Sequence, residues 1–467
     1  MNSAAFEINY PDATLTVKNG KIVSSQLVGL IPSAMGGTIK YDNSGLVFEG
    51  VEMSTTATSG IETNGNNTND SVTLKNSTLN VPNGFGIYFP SSGTLTIENS
   101  TINAKTMGVQ VCAGSLNITG AGTAITVTGD AVPKTENDGA IQDGAAISIV
   151  NRTGYKALEK IEVTGGTFTA KTGNAAIKAY NYADKTESSF TESDKVEVSG
   201  GTFSAEVPAD LCAVGYEPTE KDPSTGMYTV QKVSGNAYYV DNSGKPVYGN
   251  FVDLVNYTND ATVNKTITLL DNVTVNGYML LFEGRSVDLS GFELTITKKL
   301  IANDGSVSDS SDGKGLLKIA ADSATLVSNN GQIPLYDTEN QGYRLFNCTI
   351  KDALQTISNT SVKLWVGAIF TNKDAYKLLR TGNEHNIKIV VTLRWKNSQD
   401  TAGEQTFAFT QSLINKVALT NGEDAFYIVL TGLDTDLTGS ISEVTAQGGI
   451  TSGTGVSISG EEYTLTK

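Results

Sequence analysis

One histidine, His385, serves the whole of a 467-residue chain. Chemistry that moves protons through imidazole therefore has a single place to reside. Three cysteines, Cys112, Cys212 and Cys348, fall in three separate regions with no Cys-x-x-Cys pair. That distribution argues against a zinc site and against a disulfide framework. Cys112 alternates with Val111 in a strand-like run and reads as packed rather than reactive. No apolar run reaches the roughly 18 residues a membrane span needs. Residues 1–25 lack the charged segment followed by an apolar stretch that marks a secretory signal. Charged residues are sparse, at 18%, and their balance is acidic, with a net charge of −16. Binding to a nucleic-acid backbone requires a basic face, so that partner is set aside. Acidity of this kind ordinarily serves solubility.

What the chain has in quantity is glycine, 48 residues of it, with conspicuous Ser, Thr and Asn. Helix formers are scarce outside short stretches, so the chain reads as all-β. One short pattern recurs seven times in the first half: Val17-Lys18-Asn19-Gly20-Lys21-Ile22, Phe48-Glu49-Gly50-Val51-Glu52-Met53, Leu74-Lys75-Asn76-Ser77-Thr78-Leu79, Ile97-Glu98-Asn99-Ser100-Thr101-Ile102, a looser Ile118-Thr119-Gly120, Val163-Thr164-Gly165-Gly166-Thr167-Phe168 and Val198-Ser199-Gly200-Gly201-Thr202-Phe203. Self-similarity of this kind signals stacked units rather than one closed globule. The third position is always Asn or Gly, the residues that enter the left-handed region most cheaply. Each copy thus predicts a strand, a one-residue left-handed corner and a second strand, which is how a parallel β-helix turns.

The leading apolar residues predict an inward stack of Val17, Phe48, Leu74, Ile97, Ile118, Val163 and Val198. Their steps are 31, 26, 23, 21, 45 and 35 residues. A coil of three strands and three turns takes roughly 20–25 residues. The 45-residue step therefore predicts two coils, with Ala146-Ile147-Ser148-Ile149-Val150 in the unmarked one. Extra length falls in polar stretches at Lys134 to Asp143 and Tyr182 to Asp194. Asn76 and Asn99, at identical positions 23 residues apart, are expected to stack as an amide ladder.

Three regions follow. Residues 1–232 read as a parallel β-helix closed by a cap around Val207 to Tyr216 and a final hairpin ending at Val230, because a bare last rung would expose its core and strand edges. Residues 233–345 read as a second, shorter β-helix-like module after a helical stretch at Phe251 to Tyr257, with Asp288-Leu289-Ser290-Gly291-Phe292 repeating the strand-corner-strand grammar. Residues 346–467 change character. Longer strands alternate strictly, as in Ser361 to Phe370 and Asn386 to Trp395, with a helix-like insert at Lys373 to Arg380. They predict an immunoglobulin-like β-sandwich. The abrupt strand-like beginning and end suggest a piece of a longer exported protein.

The run Val198-Ser199-Gly200-Gly201-Thr202-Phe203-Ser204 with Val207-Pro208, Cys212 and Gly215-Tyr216 resembles the rung end and cap of adhesin-like surface proteins of gut Gram-positive bacteria. The stretch from Ile267 to Val275, leading to Val287 through Thr295, is similar to a second module of the same multidomain proteins. The resemblance covers roughly the first 300 residues. It implies a right-handed, pectate-lyase-like β-helix in a secreted or wall-attached protein, although the chain shows no sorting motif.

Parallel β-helices also carry polysaccharide lyases and hydrolases, but fold alone does not grant activity. The outward row one position before each marker reads Thr16, Val47, Thr73, Thr96, Asn117, Glu162 and Glu197, two carboxylates and no base. Arg152 is the only arginine before residue 233. The Glu136–Gly144 loop has oxygen ligands at spacings that suit Ca²⁺, or it is a solvated Asn-Asp-Gly turn. No metal or cofactor is assigned. Threonines at 16, 73 and 96 read as ordinary strand residues rather than an ice-binding ladder, and His385 reads as a surface residue.

Aromatic side chains are the binding candidates: Tyr180 and Tyr182 at the base of the longest insertion, Tyr88 and Phe89 at a coil end, and Trp365 with Lys363 on the outer face of a sandwich strand. Trp365 is either an exposed anchor or packs under the Lys373–Arg380 insert. Trp395 falls in the core register. The expected function is non-enzymatic: an extracellular or cell-surface adhesion protein that recognises a host glycoprotein, a glycan or an immunoglobulin. The alternatives are a polysaccharide lyase or hydrolase, and a phage virion or tail structural protein.

Overall fold

A computed structural model describes residues 3–466 apart from 135, 261–264, 283, 303–304, 320–331, 359–360, 382–387, 397–401, 411–414, 419–423, 428–442 and 452–456, with side chains described chiefly before residue 348. The chain divides into two compact units, Met1–Val233 and Ser234–Lys467.

The first unit is a parallel β-helix with three faces. One face stacks the leading half of Thr14–Ser24, the leading half of Gly45–Thr55, then Thr68–Lys75, Ser92–Glu98, Gly114–Thr119, Leu158–Val163 and Val196–Val198. The second face takes the trailing halves of the first two strands, then Thr78–Val81, Thr101–Ala104, Ala124–Val127, Thr167–Thr169 and Thr202–Phe203. The third stacks Ala4–Glu7, Leu27–Leu30, Ser59–Glu62, Phe85–Phe89, Met107–Val111, Ile147–Arg152 and Ile177–Ala183.

Cα register places Val17, Phe48, Leu74, Ile97, Ile118, Val163 and Val198 in one column, rung upon rung. From Phe48 onward every member is fully buried. A second column runs Ile22, Met53, Leu79, Ile102, Ile125, Phe168, Phe203, and its last two rings stack at 5.0 Å. Burial of a side chain of this size is worth about 1.5–3 kcal/mol, and each rung gains it only from its neighbours. Outside the columns, charge alternates up the first face, with Lys18–Glu49 at 2.8 Å and Lys75–Glu98 at 3.0 Å. These pairs are exposed and add little to stability.

The corners between the first two faces are left-handed at Asn19, Gly50, Asn76, Asn99 and Gly120. In the last two copies the expectation fails by one residue. Gly166 (φ 113°) and Gly201 (φ 112°) take positive φ, not Gly165 and Gly200. A doubled glycine leaves the choice open, and a Cβ on Gly166 would lie 2.9 Å from the Thr123 carbonyl oxygen. The amide ladder expected at Asn76 and Asn99 lies elsewhere. At these corners serine hydroxyls bridge the rungs, Val51 N–H donating to Ser77 Oγ and Ser77 N–H to Ser100 Oγ, both at 3.1 Å, and Asn99 Oδ1 accepts from Gly122 N–H of the next rung at 3.3 Å. A side-chain ladder does form where the third face returns to the first. There Asn69 donates to Asn43 at 3.2 Å and Asn43 to Asp12 at 2.8 Å, all three left-handed.

The 45-residue step is one coil, not two. Ile118 pairs directly with Val163, and Ile147–Arg152 is the third-face strand of that same coil, between Met107–Val111 and Ile177–Ala183. The surplus is an insertion at 128–146. At the far end, Ala209–Leu211 buries Leu211 under the last rung, and Tyr216–Pro218 pairs with Tyr228–Lys232, which adds antiparallel to Thr202–Phe203.

The second unit opens with the hairpin Ala237–Val240/Pro246–Gly249 and the helix Phe251–Asp260. Three parallel stacks follow: Lys265–Leu269 with Arg285–Asp288 and Ser306–Ser308, Val273–Val275 with Glu293–Ile296 and Leu316–Ile319, and Tyr278–Leu281 with Lys299–Ala302. This is a short β-helix, with Ile267, Val287 and Val307 in one buried column. Its corner at Ser290-Gly291 is left-handed. Gly342–Ser358 is one continuous strand, so the boundary expected at 345/346 falls inside it. Beyond it the pairing is antiparallel, with Ser361–Phe370, Asp424–Tyr427 and Asn415–Ala418 in one sheet and Ala402–Thr410, Lys388–Lys396, Glu443–Thr451 and Ser457–Thr466 in another. The side chains that would fill an immunoglobulin-like sandwich between these sheets lie outside the described residues, Trp395 among them.

Candidate functional site: a loop pinned across the third face

The outer side of the third face is where the first unit departs from a plain solenoid. The 128–146 insertion folds across it. Gln110, fully buried, accepts from Ile141 N–H and donates to the Ile141 carbonyl, both at 2.8 Å. A side-chain amide thus acts as a strand neighbour for the loop. Ile141 packs with Met107, Cys112, Val150, Tyr180 and Tyr182 in a cluster separate from the inner core.

Arg152 is the centre of this arrangement. It is 3% exposed. Its Nη1 donates to the Gly139 carbonyl at 2.6 Å and to Tyr88 Oη at 3.3 Å, and its Nη2 donates to the Asn137 carbonyl. The guanidinium carbon lies 4.5 Å from the Tyr155 ring centroid and 5.2 Å from that of Tyr182, within cation–π range. The hydroxyls of Tyr155 and Tyr88 are 3.0 Å apart, and Tyr155 donates to Asp138 Oδ1 at 2.8 Å. That hydrogen bond, with one from Gly139 N–H, holds the Asp138 carboxyl below the usual carboxylate range. Tyr182 donates to the Glu136 carbonyl at 3.3 Å.

A second knot ties the loop's other end. Asp143 Oδ2 accepts from Ser148 Oγ at 2.7 Å and Tyr180 Oη at 3.0 Å, while Oδ1 accepts from Ala145 N–H at 3.1 Å. Burial nevertheless raises the Asp143 pKa. Cys112, beneath the network, is pushed up to about 12 by burial, so its thiol stays protonated and inert.

The sequence candidates now have places. Phe89 is wholly buried in the inner core, in register with Val111 and, one rung on, Ile149. Tyr88, Tyr180 and Tyr182 point outward yet are only 3–6% exposed: the loop takes the hydroxyls of Tyr180 and Tyr182, and that of Tyr88 meets Tyr155 and Arg152. They position a surface rather than form it. The side chains of Trp365 and Lys363, and His385 entirely, lie outside the described residues. Arg152 and Tyr155 were not among the candidates, although a lone arginine three residues before a tyrosine, downstream of an Asn-Asp-Gly loop, is a readable signal. Of the loop oxygens considered for Ca²⁺, those of Asp138, Gln142 and Asp143 accept from protein donors. The carbonyls of Asn137 and Gly139 face the guanidinium of Arg152. Among the described residues no group of three or more acidic, His or Cys side chains is placed to hold a metal ion.

The exposed surface of this region is polar. Glu136, Asn137 and Asp138 rim the loop. Beside them the second insertion, 184–195, leaves the same face through the hairpin Ile177–Ala183/Thr186–Ser188. Asn181 donates to the Ser189 carbonyl at 2.7 Å and to Thr191 Oγ1 at 3.1 Å, and Lys178 pairs with Glu187 at 2.7 Å. On the first face the row of Thr16, Val47, Thr73, Thr96, Asn117, Glu162 and Glu197 is in register throughout. Its two carboxylates share Lys160, at 2.7 and 3.5 Å.

The family model for a right handed beta helix region matches residues 1–132. The same coil geometry continues past the matched stretch to Phe203. No curated protein and no solved structure matches the chain.

Proposed function

We propose that this chain is a non-enzymatic binding protein of the cell surface or extracellular medium, in which the first β-helix is a rigid rod presenting the 128–146 and 184–195 insertions to a host glycoprotein, glycan or immunoglobulin. The observation that carries the reading is the pinning of two long insertions side by side on one face of an otherwise regular solenoid. A solenoid that only spaces has no use for such loops, whereas binding chemistry is ordinarily carried on loops held by a rigid scaffold. Ordering them in advance also lowers the entropy cost of binding. The exposed rim of Glu136, Asn137 and Asp138 offers carboxylate and amide groups that suit glycan hydroxyl groups. The one arginine of the first unit is spent on the loop's own carbonyls, which removes it as a group facing a substrate.

Screening the whole chain on immobilised glycans, mucins and immunoglobulins tests this. Saturable binding that falls about tenfold or more in Asn137→Ala/Asp138→Ala is expected. Binding indifferent to both loops sinks the choice of face. The rival reading, a polysaccharide lyase or hydrolase, draws on Glu162 and Glu197 beside Lys160. Release of unsaturated or reducing ends from pectin, alginate or glycosaminoglycans, lost in Glu162→Gln, would establish that reading instead.

A further inference from the structure

The corner where the third face returns to the first carries an apolar loop separate from the 128–146 and 184–195 insertions. Between Leu27–Leu30 and Gly45–Thr55 the chain takes residues 31–44 to turn it, whereas two rungs later residues 90–91 suffice. The tip of this loop, Met35-Gly36-Gly37, is left-handed throughout, with φ of 51°, 64° and 87°. Glycine enters that region freely, but methionine does not. Of the twelve non-glycine residues with positive φ among the described residues, Met35 alone is apolar. Met35 is also 76% exposed, the most of any large apolar side chain among the described residues, and Ile39 at the foot of the tip is 42% exposed. Tyr10, 75% exposed, stands on the same corner one rung earlier, where its carbonyl accepts from Ser44 Oγ at 2.8 Å. A turn built only for economy would place Gly or Asn at position 35. Strain and exposure of one apolar residue together point to a contact made outside the chain.

The loop is ordered before any partner arrives. Ala34 and Ile39 exchange backbone hydrogen bonds at 2.9 and 3.1 Å, which closes the tip. Below them one buried amide clamps both ends. Asn67 Nδ2 donates to the Pro32 carbonyl at 2.9 Å, and Asn67 Oδ1 accepts from Tyr41 N–H at 3.1 Å. Asn66 lies so close to Gly37 that a Cβ there would come within 2.6 Å of its Nδ2. Met35 and Ile39 are therefore presented on a fixed turn, and holding a loop in its bound shape lowers the entropy cost of binding. Their chemistry sets the class of occupant. A thioether and a branched alkyl chain offer little to sugar hydroxyls and gain by entering an apolar pocket. Methionine, unbranched and polarizable, adapts to such pockets. A lipid surface would call for a broader apolar face with basic neighbours, and Lys40 is the only charged residue from Ile31 to Tyr41. The partner that fits is a polypeptide surface with an apolar pocket.

We propose that Met35, with Ile39 beside it, docks as a knob into an apolar pocket on the polypeptide of the partner. This second contact presupposes that the chain is a binding protein, but it is made to polypeptide, whereas the rim of the 128–146 loop suits glycan.

Surface plasmon resonance of the full chain tests this over immobilised immunoglobulin G and gastric mucin, each intact and enzymatically stripped of glycan, and over phosphatidylcholine vesicles. At least one stripped protein should bind saturably. Met35→Gly should weaken that binding about tenfold or more. Its melting temperature should be no lower than the parent's, because glycine relieves the strain at φ 51°, and this separates loss of binding from loss of fold. Met35→Leu, which keeps an apolar side chain, should still bind. Saturable binding to the intact proteins alone overturns the knob and leaves the binding-protein reading standing. No saturable binding to any of these surfaces overturns both. The knob is also overturned if Met35→Gly binds stripped protein as tightly as the parent does. Vesicle binding that Met35→Gly abolishes would overturn it too, by giving the knob to a membrane.

Discussion

Asp70 places an ionisable carboxyl in the interior of the first unit. It is wholly buried at the corner where the third face returns to the first. Asn67 Nδ2 donates to its Oδ2 at 3.0 Å, and Ser44 N–H approaches Oδ1 at 3.4 Å. Burial outweighs those bonds and pushes the carboxyl up from 3.8 to about 6. The native state therefore holds this proton more tightly than the unfolded chain. The stabilisation is complete below the unfolded pKa and is lost as pH rises through the folded one. As pH rises from about 4 to beyond 6, ionising Asp70 should come to cost the fold on the order of 2–3 kcal/mol, a cost that persists at neutral pH. Asp70→Asn keeps the shape and removes the charge. Denaturant melts should show the variant more stable than the parent at pH 7 and no more stable at pH 3.5. A variant weaker at both would mean the carboxylate is needed as a charge and that the burial argument is wrong.

At the scale of elements, the 128–146 loop is held by one guanidinium more than by its own contacts. Replacing Arg152 with methionine keeps an apolar stem among Tyr155 and Tyr182 but removes three donated bonds. The carbonyls of Asn137 and Gly139 then lose their protein donor. A loss of about 2–4 kcal/mol is expected. It should be concentrated in the loop, with faster hydrogen exchange at Ile141 N–H while Ile97 and Ile118 in the inner column stay protected. Uniform loosening of all rungs would show that Arg152 supports the solenoid rather than the loop. This element also marks where the sequence stops being readable. Columns such as Val17 to Val198 are legible because each inward residue sits a fixed step before an Asn or Gly corner. The third face has no corner at a fixed step: its left-handed residues Asp12, Asn43 and Asn69 stand at varying distances beyond the strands ending at Glu7, Leu30 and Glu62. Its strands, Phe85–Phe89 and Met107–Val111 for instance, are buried on all their residues, so they give an unbroken apolar run with no period to read. Ile147–Arg152 therefore reads from sequence as part of a separate coil, and the tyrosines near it as binding candidates. What holds Tyr180 and Tyr182 under cover is a long-range contact from the loop, and Tyr88 is held by Tyr155 and Arg152 more than sixty residues on; local pattern carries no record of either. The antiparallel strands after residue 342 were legible as strands because they alternate, yet their pairing order could not be read.

For the whole molecule, the division into Met1–Val233 and Ser234–Lys467 has an energetic basis. The inner core from Ile8 to Val230 and the core from Ala237 to Leu345 share no residue. The first unit closes its own last rung, with Leu211 beneath and the strand Tyr228–Lys232 paired to Thr202–Phe203. A solenoid so closed draws its stability from neighbouring rungs and its cap. Residues 1–233 made alone should therefore give a β-type circular dichroism spectrum and one cooperative melt. That melt should coincide within a few degrees with a transition of the full chain. Removing residues 209–233 from this fragment takes away the cap and leaves Phe203 and Val198 at an open end. The shortened fragment should melt lower and aggregate through its exposed strand edges. If the 1–233 fragment itself aggregates or melts far below the full chain, the cap is insufficient and the second unit contributes to the stability of the first.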